Sequence, residues 1–240
     1  MKPGRRVRAS RGGAPRAVKN DYQFLTSWRV EGTCGEVADV LGDPLALARW
    51  WPSVYLDVQE LRPPDAHGVG QRVRLHTRGW LPYTLTWEFE VVASRYPHGF
   101  TIVASGDFEG TGVWAFEQNG PYVDVAYDWR IRAEKPLLRN LSFVLKPIFE
   151  ANHRWAMARG EESLVLELER RRATNDIARA KVPKPPGPVT YGAAALVACS
   201  AAIGATLAYL IVRPRRPSER VRGLRHENHE NTKLTKQQTF

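Results

Sequence analysis

From Val189 to Val212 the chain runs 24 residues, VTYGAAALVACSAAIGATLAYLIV, without a charged residue, Asn, Gln or His. No other stretch constrains the architecture as strongly. At 1.5 Å per helical residue, about 20 residues cross a hydrocarbon core of roughly 30 Å. Tyr191 and Tyr209 stand near the two ends, where amphipathic rings favour the headgroup level, and Arg213, Arg215 and Arg216 follow at once. One transmembrane helix over 189–212 is therefore expected. The competing reading, a buried core helix, needs a further domain to cover it, and the tail beyond is basic and poor in large apolar residues. Ser200, Gly204 and Ala208 recur every four residues, a spacing that lets two such helices approach closely and form a homodimer.

The formal charge of +10 sits in the tails. Residues 1–20 carry seven Lys/Arg and no acid, residues 213–240 carry eight bases against three acids, and residues 21–212 are left at −2. A nearly neutral centre argues against a nucleic-acid groove, which needs concentrated basic charge. Both tails, 1–20 and 213–240, are too poor in large apolar residues to fold and read as disordered basic segments suited to anionic lipid. Residues 173–188 form a linker whose end, Val182–Pro188 (VPKPPGP), is too rich in proline for helix or central strand. Basic residues flank the span almost equally on both sides, so counting them does not orient it. No apolar run of signal-peptide length follows the basic N-terminus, and the expectation is a single-pass membrane protein with its N-terminal domain in the cytoplasm. Cys34 and Cys199 lie too far apart to suggest a disulfide framework or a metal site.

Residues 21–172 read as one α+β domain. Tyr22, Phe24, Thr26, Trp28 and Val30 alternate at period two and indicate a strand. Two short helices are expected over Glu36–Leu41 and Leu45–Trp50, divided by Gly42-Asp43-Pro44, where Asp43 caps and Pro44 enters the first turn. From Val54 to Ala133, successive antiparallel strands are separated by turns at Pro63-Pro64-Asp65, Arg78-Gly79, Pro97-His98-Gly99, Gly110 and Asn119-Gly120-Pro121. Tyr83, Leu85, Trp87, Phe89 and Val91 share one face, as do Val123, Val125, Tyr127, Trp129 and Ile131, so the sheet has one apolar and one wet side. Helical composition returns from Pro136 to Arg172, with Pro147 marking a kink or a break. Its stripe of Phe149, His153, Ala156, Gly160, Leu164 and Leu168 would pack on the apolar face of the sheet.

Five segments carry a family likeness: Ala48-Arg49-Trp50-Trp51-Pro52, Arg78 to Tyr83 (RGWLPY), Ala104 to Trp114 (ASGDFEGTGVW), Tyr127-Asp128-Trp129-Arg130, and Asn152 to Glu162 (NHRWAMARGEE). Together with the order of elements, they resemble the SRPBCC or START-like superfamily, in its branch of polyketide cyclases and lipid-transport proteins, over about residues 21–172. The resemblance implies a helix-grip fold, a curved antiparallel sheet wrapped on a long C-terminal helix, with a cavity between the two. It brings no particular reaction.

Within such a fold the inward aromatics Trp50, Trp51, Tyr83, Trp87, Phe89, Trp114, Phe116, Tyr127 and Trp129 are candidates for a ligand-binding wall, or simply fill the core. His153 on the helix stripe could orient a ligand or move a proton, and is the one catalytic candidate; a satisfied core histidine is the plainer reading. Gly160, two turns on, would leave room beside it. His76 shares its parity with Arg72 and Arg74 and belongs to the wet face. Asp107 and Glu109 would bond within their turn, and Asp128 would pair with Arg130 or another surface base. No metal-ligand spacing, phosphate loop or G-x-S-x-G is present, so neither metal nor cofactor is expected.

The leading expectation is a membrane-anchored binder or carrier of a small hydrophobic ligand, lipid or polyketide-like. A cyclase or aromatase-type enzyme and a non-catalytic interaction module are the alternatives. The dimer expectation is directly testable: the isolated span 189–212 should self-associate in detergent, and a purely monomeric peptide would remove it.

Overall fold

Alternation at period two produces seven strands, and all seven join one antiparallel sheet. The computed structural model describes residues 21–133 and 136–191. The strands are β1 (Asp21–Glu31), β2 (Tyr55–Arg62), β3 (Arg72–Thr77), β4 (Leu85–Ser94), β5 (Gly99–Gly106), β6 (Phe108–Asn119) and β7 (Tyr122–Ala133), in the spatial order β1-β7-β6-β5-β4-β3-β2. Only the β1–β7 pairing departs from a simple meander. It sets Phe24 opposite Trp129 and Trp28 opposite Val125. On β3 the parity is complete: Val73, Leu75 and Thr77 are buried while Arg72, Arg74 and His76 are exposed. Arg72 and Arg74 both clasp Glu88 on the wet face at 2.7 and 2.8 Å, where solvent leaves such pairs worth little. The strand expected from Tyr83 starts at Leu85, because the Asp107 carboxylate accepts from the Thr86 amide at 2.8 Å and ties the strand start to the turn before β6. Tyr83 is left in the loop 78–84.

Between β1 and β2 lie α1 (Cys34–Leu41), a 3-10 turn (Pro44–Ala46) and α2 (Leu47–Trp50). Thr33 and Glu36 form a capping box that satisfies the first amides of α1. Asp43 accepts from the Ala46 amide, and Pro44 opens the turn as its fixed φ favours. Cys34, the first residue of α1, is buried, and burial raises its thiol pKa, as does Glu117.

Helix α3 (Pro136–Arg172) is 37 residues long and unbroken at Pro147, which has no N–H to give to the preceding turn. Its inward stripe includes Met157, Gly160, Ser163, Leu164, Glu167 and Leu168, all buried. The space expected beside Gly160 is occupied. A Cβ there would stand 2.6 Å from Cε2 of Trp51 and nearer still to Cζ2, so the glycine exists to seat this indole against the helix.

Glu167 is only 1% exposed, yet it is charged. Arg49 grips both its oxygens at 2.9 and 2.8 Å, and Arg171 and Arg170 add bonds of 2.9 and 3.2 Å. Burial alone would raise its pKa, but the guanidinium hydrogen bonds outweigh burial and hold the carboxyl below its usual 4.5. Further along, Arg172 bonds Glu36 at 2.7 Å and Arg171 bonds the Asp39 carbonyl at 3.0 Å, so the last turns of α3 are tied to both α1 and α2.

The expected linker is partly folded. Asn175 caps a short helix, α4 (Asp176–Lys181), and residues 183–191 are without regular structure. This segment lies along the domain: Arg170 donates to the Pro183 carbonyl at 2.8 Å and Arg78 to the Val189 carbonyl at 3.0 Å. Among the described residues no helix is long and apolar enough to cross a membrane. The expected span beyond Tyr191, its dimer contact, Cys199 and both basic tails lie outside the described residues.

Replacing Glu167 with Ala should destabilise the domain by about 3 kcal/mol, because three guanidinium groups lose their acceptor. Urea denaturation measures this directly. Since the folded pKa lies below the unfolded 4.5, the contribution of Glu167 is complete above that pH and is lost as pH falls through the folded value. The gap between wild type and variant should therefore close in acid.

Candidate functional site

The concave face of the sheet is not uniformly filled. Its middle is occupied by indoles: Trp28 lies 5.8 Å from Trp51 and 5.5 Å from Trp114, Trp51 lies 5.5 Å from Trp50, and Trp114 stacks on Tyr127 at 3.9 Å. On one side of this plug, beneath residues 149–157 of α3, is a pocket of about 170 Å³. Strands supply Tyr22, Phe24, Tyr55, Leu85, Trp87, Phe108, Tyr127, Trp129 and Ile131; α3 supplies Phe149, Asn152, His153, Ala156 and Met157; Trp51, Val54, Gly79 and Tyr83 close the rest. Among the described residues no Asp, Glu, Lys or Arg lines it.

Several polar groups on this wall are already engaged. Asn152 accepts from the amides of Trp80 and Leu81 at 2.9 and 3.3 Å, which pins the loop 78–84 to α3. A Cβ on Gly79 would collide with that amide, so the close approach requires glycine. The Trp87 indole donates to Thr77 Oγ1 at 3.1 Å. Burial pushes the Tyr83 phenol up to about 12, with Tyr22 adding to the effect, and raises Tyr55 and Tyr127 further, so all three stay protonated and neutral.

His153 differs. Its ring stacks on Phe24 at 4.3 Å and 22°, its Nε2 is buried with no hydrogen-bond partner, and burial pushes its pKa down to about 4. The imidazole is therefore neutral at pH 7. Trp51 Nε1 is likewise buried without a partner.

Of the aromatic residues singled out from the sequence, Trp51, Tyr83, Trp87, Tyr127 and Trp129 reach this pocket, together with His153. Trp50, at 0% exposure, and Trp114 are packed in the plug or against it and do not line the pocket. Phe89 and Phe116 face the same side of the sheet but lie further along their strands. They line a separate groove of about 670 Å³ near the end of α1 and the loop 64–71. That groove carries Asp39, Asp43, His67 and Arg95 on its walls, which suits water better than an apolar guest. Asp128 bonds Arg130 at 2.6 Å on the wet face, as expected, and Asp107 bonds the Thr86 amide. Tyr22 and Phe24 were legible as inward strand residues but not as pocket wall, because parity reports the face and not the position along it. Among the described residues no group of three or more His, Cys, Asp or Glu could hold a metal ion.

Comparison with solved structures places the domain among known folds. A crystal structure from Thermus thermophilus matches at TM-score 0.51 and 15% identity, over 61% of this chain and 99% of that one. The Zhui aromatase/cyclase from Streptomyces sp. R1128 matches at TM-score 0.50 and 18% identity, over 63% and 95%. The fold is the helix grip that these structures share. A START superfamily protein from Mycobacterium smegmatis is a further neighbour, at TM-score 0.42, 13% identity and coverage of 57% and 98%. No family model matches the sequence, and no curated protein matches it. At these identities the likeness describes the helix-grip architecture; the pocket described above is this chain's own.

The neutral imidazole makes the helix-grip domain sensitive to acid. The unfolded chain binds a proton at His153 below about pH 6.5, whereas the folded chain does so only below about 4. The stabilisation is thus complete above 6.5 and is lost as pH falls towards 4, with a magnitude on the order of 2–3 kcal/mol. His153→Leu should remain folded and lose less stability than wild type between pH 7 and 4.5 in thermal melts. An identical loss in both proteins would show that the ring is not buried neutral.

Proposed function

We propose that this chain binds or carries a small, neutral, hydrophobic molecule between its sheet and α3, and that the domain is held at a membrane. One observation carries the reading: the pocket beneath α3 is lined by aromatic and aliphatic side chains with no ionised group among the described residues. A polar or charged guest would lose its hydration there without compensation. The volume narrows the class. About 170 Å³ is on the scale of a cavity that takes up benzene, and below the roughly 300 Å³ at which drug-sized pockets begin. A one- or two-ring compound or a short acyl chain fits; a two-chain lipid does not.

Membrane anchoring rests on the sequence of 189–212, with the basic segments 1–20 and 213–240 meeting anionic lipid and the domain on the cytoplasmic side. Tethering would expose the pocket to membrane-dissolved ligand at high effective concentration. A second reading, an enzyme of the cyclase or aromatase type, draws support from the fold shared with an aromatase/cyclase and from an unpartnered imidazole in the pocket wall. Turnover of an aromatic-forming substrate that disappears in His153→Ala would favour it.

Native mass spectrometry of the full chain, released from detergent, should reveal a stoichiometric apolar passenger after purification from its own host. A chain that is empty and also fails to take up any member of a panel of one- and two-ring aromatics would sink the carrier reading and favour an interaction module.

A further inference from the structure

The pocket holds a specific polar demand that its apolar lining conceals. Its amide oxygen, Asn152 Oδ1, already accepts two backbone bonds, and the Trp87 indole is satisfied by Thr77. Two buried atoms on the wall have no partner, Trp51 Nε1 and His153 Nε2. The Trp51 indole is wedged among Trp28, Trp50, Tyr55 and Gly160, so its place is fixed by core packing. His153 stands apart from that plug, with its ring held flat against Phe24. Leaving a buried polar atom unsatisfied costs about 1–3 kcal/mol, and the structure keeps one on a rigid mount at the edge of an otherwise greasy space. That is the arrangement of a preorganised anchor.

Resting on the pocket reading above, we infer that His153 Nε2 selects ligands that carry a hydroxyl group on an aromatic body, exchanging one hydrogen bond with that hydroxyl. The chemistry chooses a hydroxyl over other polar groups. A neutral imidazole presents Nε2 either as a donor or as an acceptor, and a hydroxyl can satisfy both, whereas a carbonyl or ether oxygen can only accept. An amine cation is excluded by the absence of any carboxylate on the described wall, and a carboxylate ligand by the absence of any Lys or Arg. With its pKa pushed down to about 4, the ring offers no charge to an anion at neutral pH either. Aromatic faces of Phe24, Tyr127 and Trp129 supply the flat contact for the body of such a guest. His153 is a specificity-determining residue on this account and needs no catalytic step.

A matched pair of probes tests it. The full chain in detergent is titrated with 4-fluorophenol and with 4-fluorotoluene, near-isosteres that differ by hydroxyl against methyl, and binding is followed by fluorine NMR. Partition into detergent is common to wild type and variants and cancels in their ratio. His153→Leu should weaken the phenol about five- to tenfold, the range a hydrogen bond of about 1–1.4 kcal/mol provides, while the toluene changes less than twofold. His153→Gln, which keeps a donor and an acceptor, should recover part of the phenol affinity. Equal weakening of both probes, or no weakening of the phenol, overturns the anchor while leaving the pocket intact. If wild type binds neither probe, the pocket reading falls and takes this inference with it.

Discussion

Glu167 is the point on which the helix grip turns. A carboxylate taken from water into a protein interior is costly, and here the cost is offset by guanidinium groups whose own far sides remain hydrated: Arg49 is 55% exposed in its side chain while Glu167 is 2%. Only one partner of the main pair is desolvated. Through it α2 is fastened to α3, and α2 carries Trp50 and leads directly into Trp51, so the same bond sets the indole plug at its height above the sheet. Arg171 and Arg172 extend the fastening to α1. Among the described residues, the last turns of α3 thus carry its ties to both α1 and α2.

The middle of the helix is held differently. Around Phe149, His153 and Met157 the contacts are apolar, and the named polar tie is Asn152 to the loop 78–84. Among the described residues the contacts at 149–157 of α3 are thus largely non-directional, and such contacts tolerate small displacements better. The pocket lies under this middle stretch. Seen this way, the tryptophan plug is a partition: it keeps the two spaces on the concave face separate and fixes the depth of the smaller one.

Much of this was legible from the chain. Period-two alternation located the strands, and Asp43-Pro44 marked the turn between the short helices. The stripe from Phe149 to Leu168 found the face of α3. What escaped was depth and partnership. Phe89 and Phe116 have the parity of pocket residues, yet stand too far along β4 and β6. Gly160 signalled a gap, and only the position of Trp51 showed that the gap was filled. Glu167 lies in an ELERRR run, and nothing in its spacing distinguishes it from a solvated charge, because the decisive partner, Arg49, is 118 residues away. Long-range pairing of that kind is a property of the folded shape rather than of local pattern.

The two carbonyl clasps at Pro183 and Val189 determine where the polypeptide leaves the domain. After α4 the backbone is held first by Arg170 and then by Arg78, the residue that opens the loop whose next member, Gly79, lines the pocket. The clasp on Val189 and the pocket wall at Gly79 are therefore neighbours in one loop. A change at Arg78 would therefore act twice, freeing the segment after α4 and the loop that walls the pocket in one step.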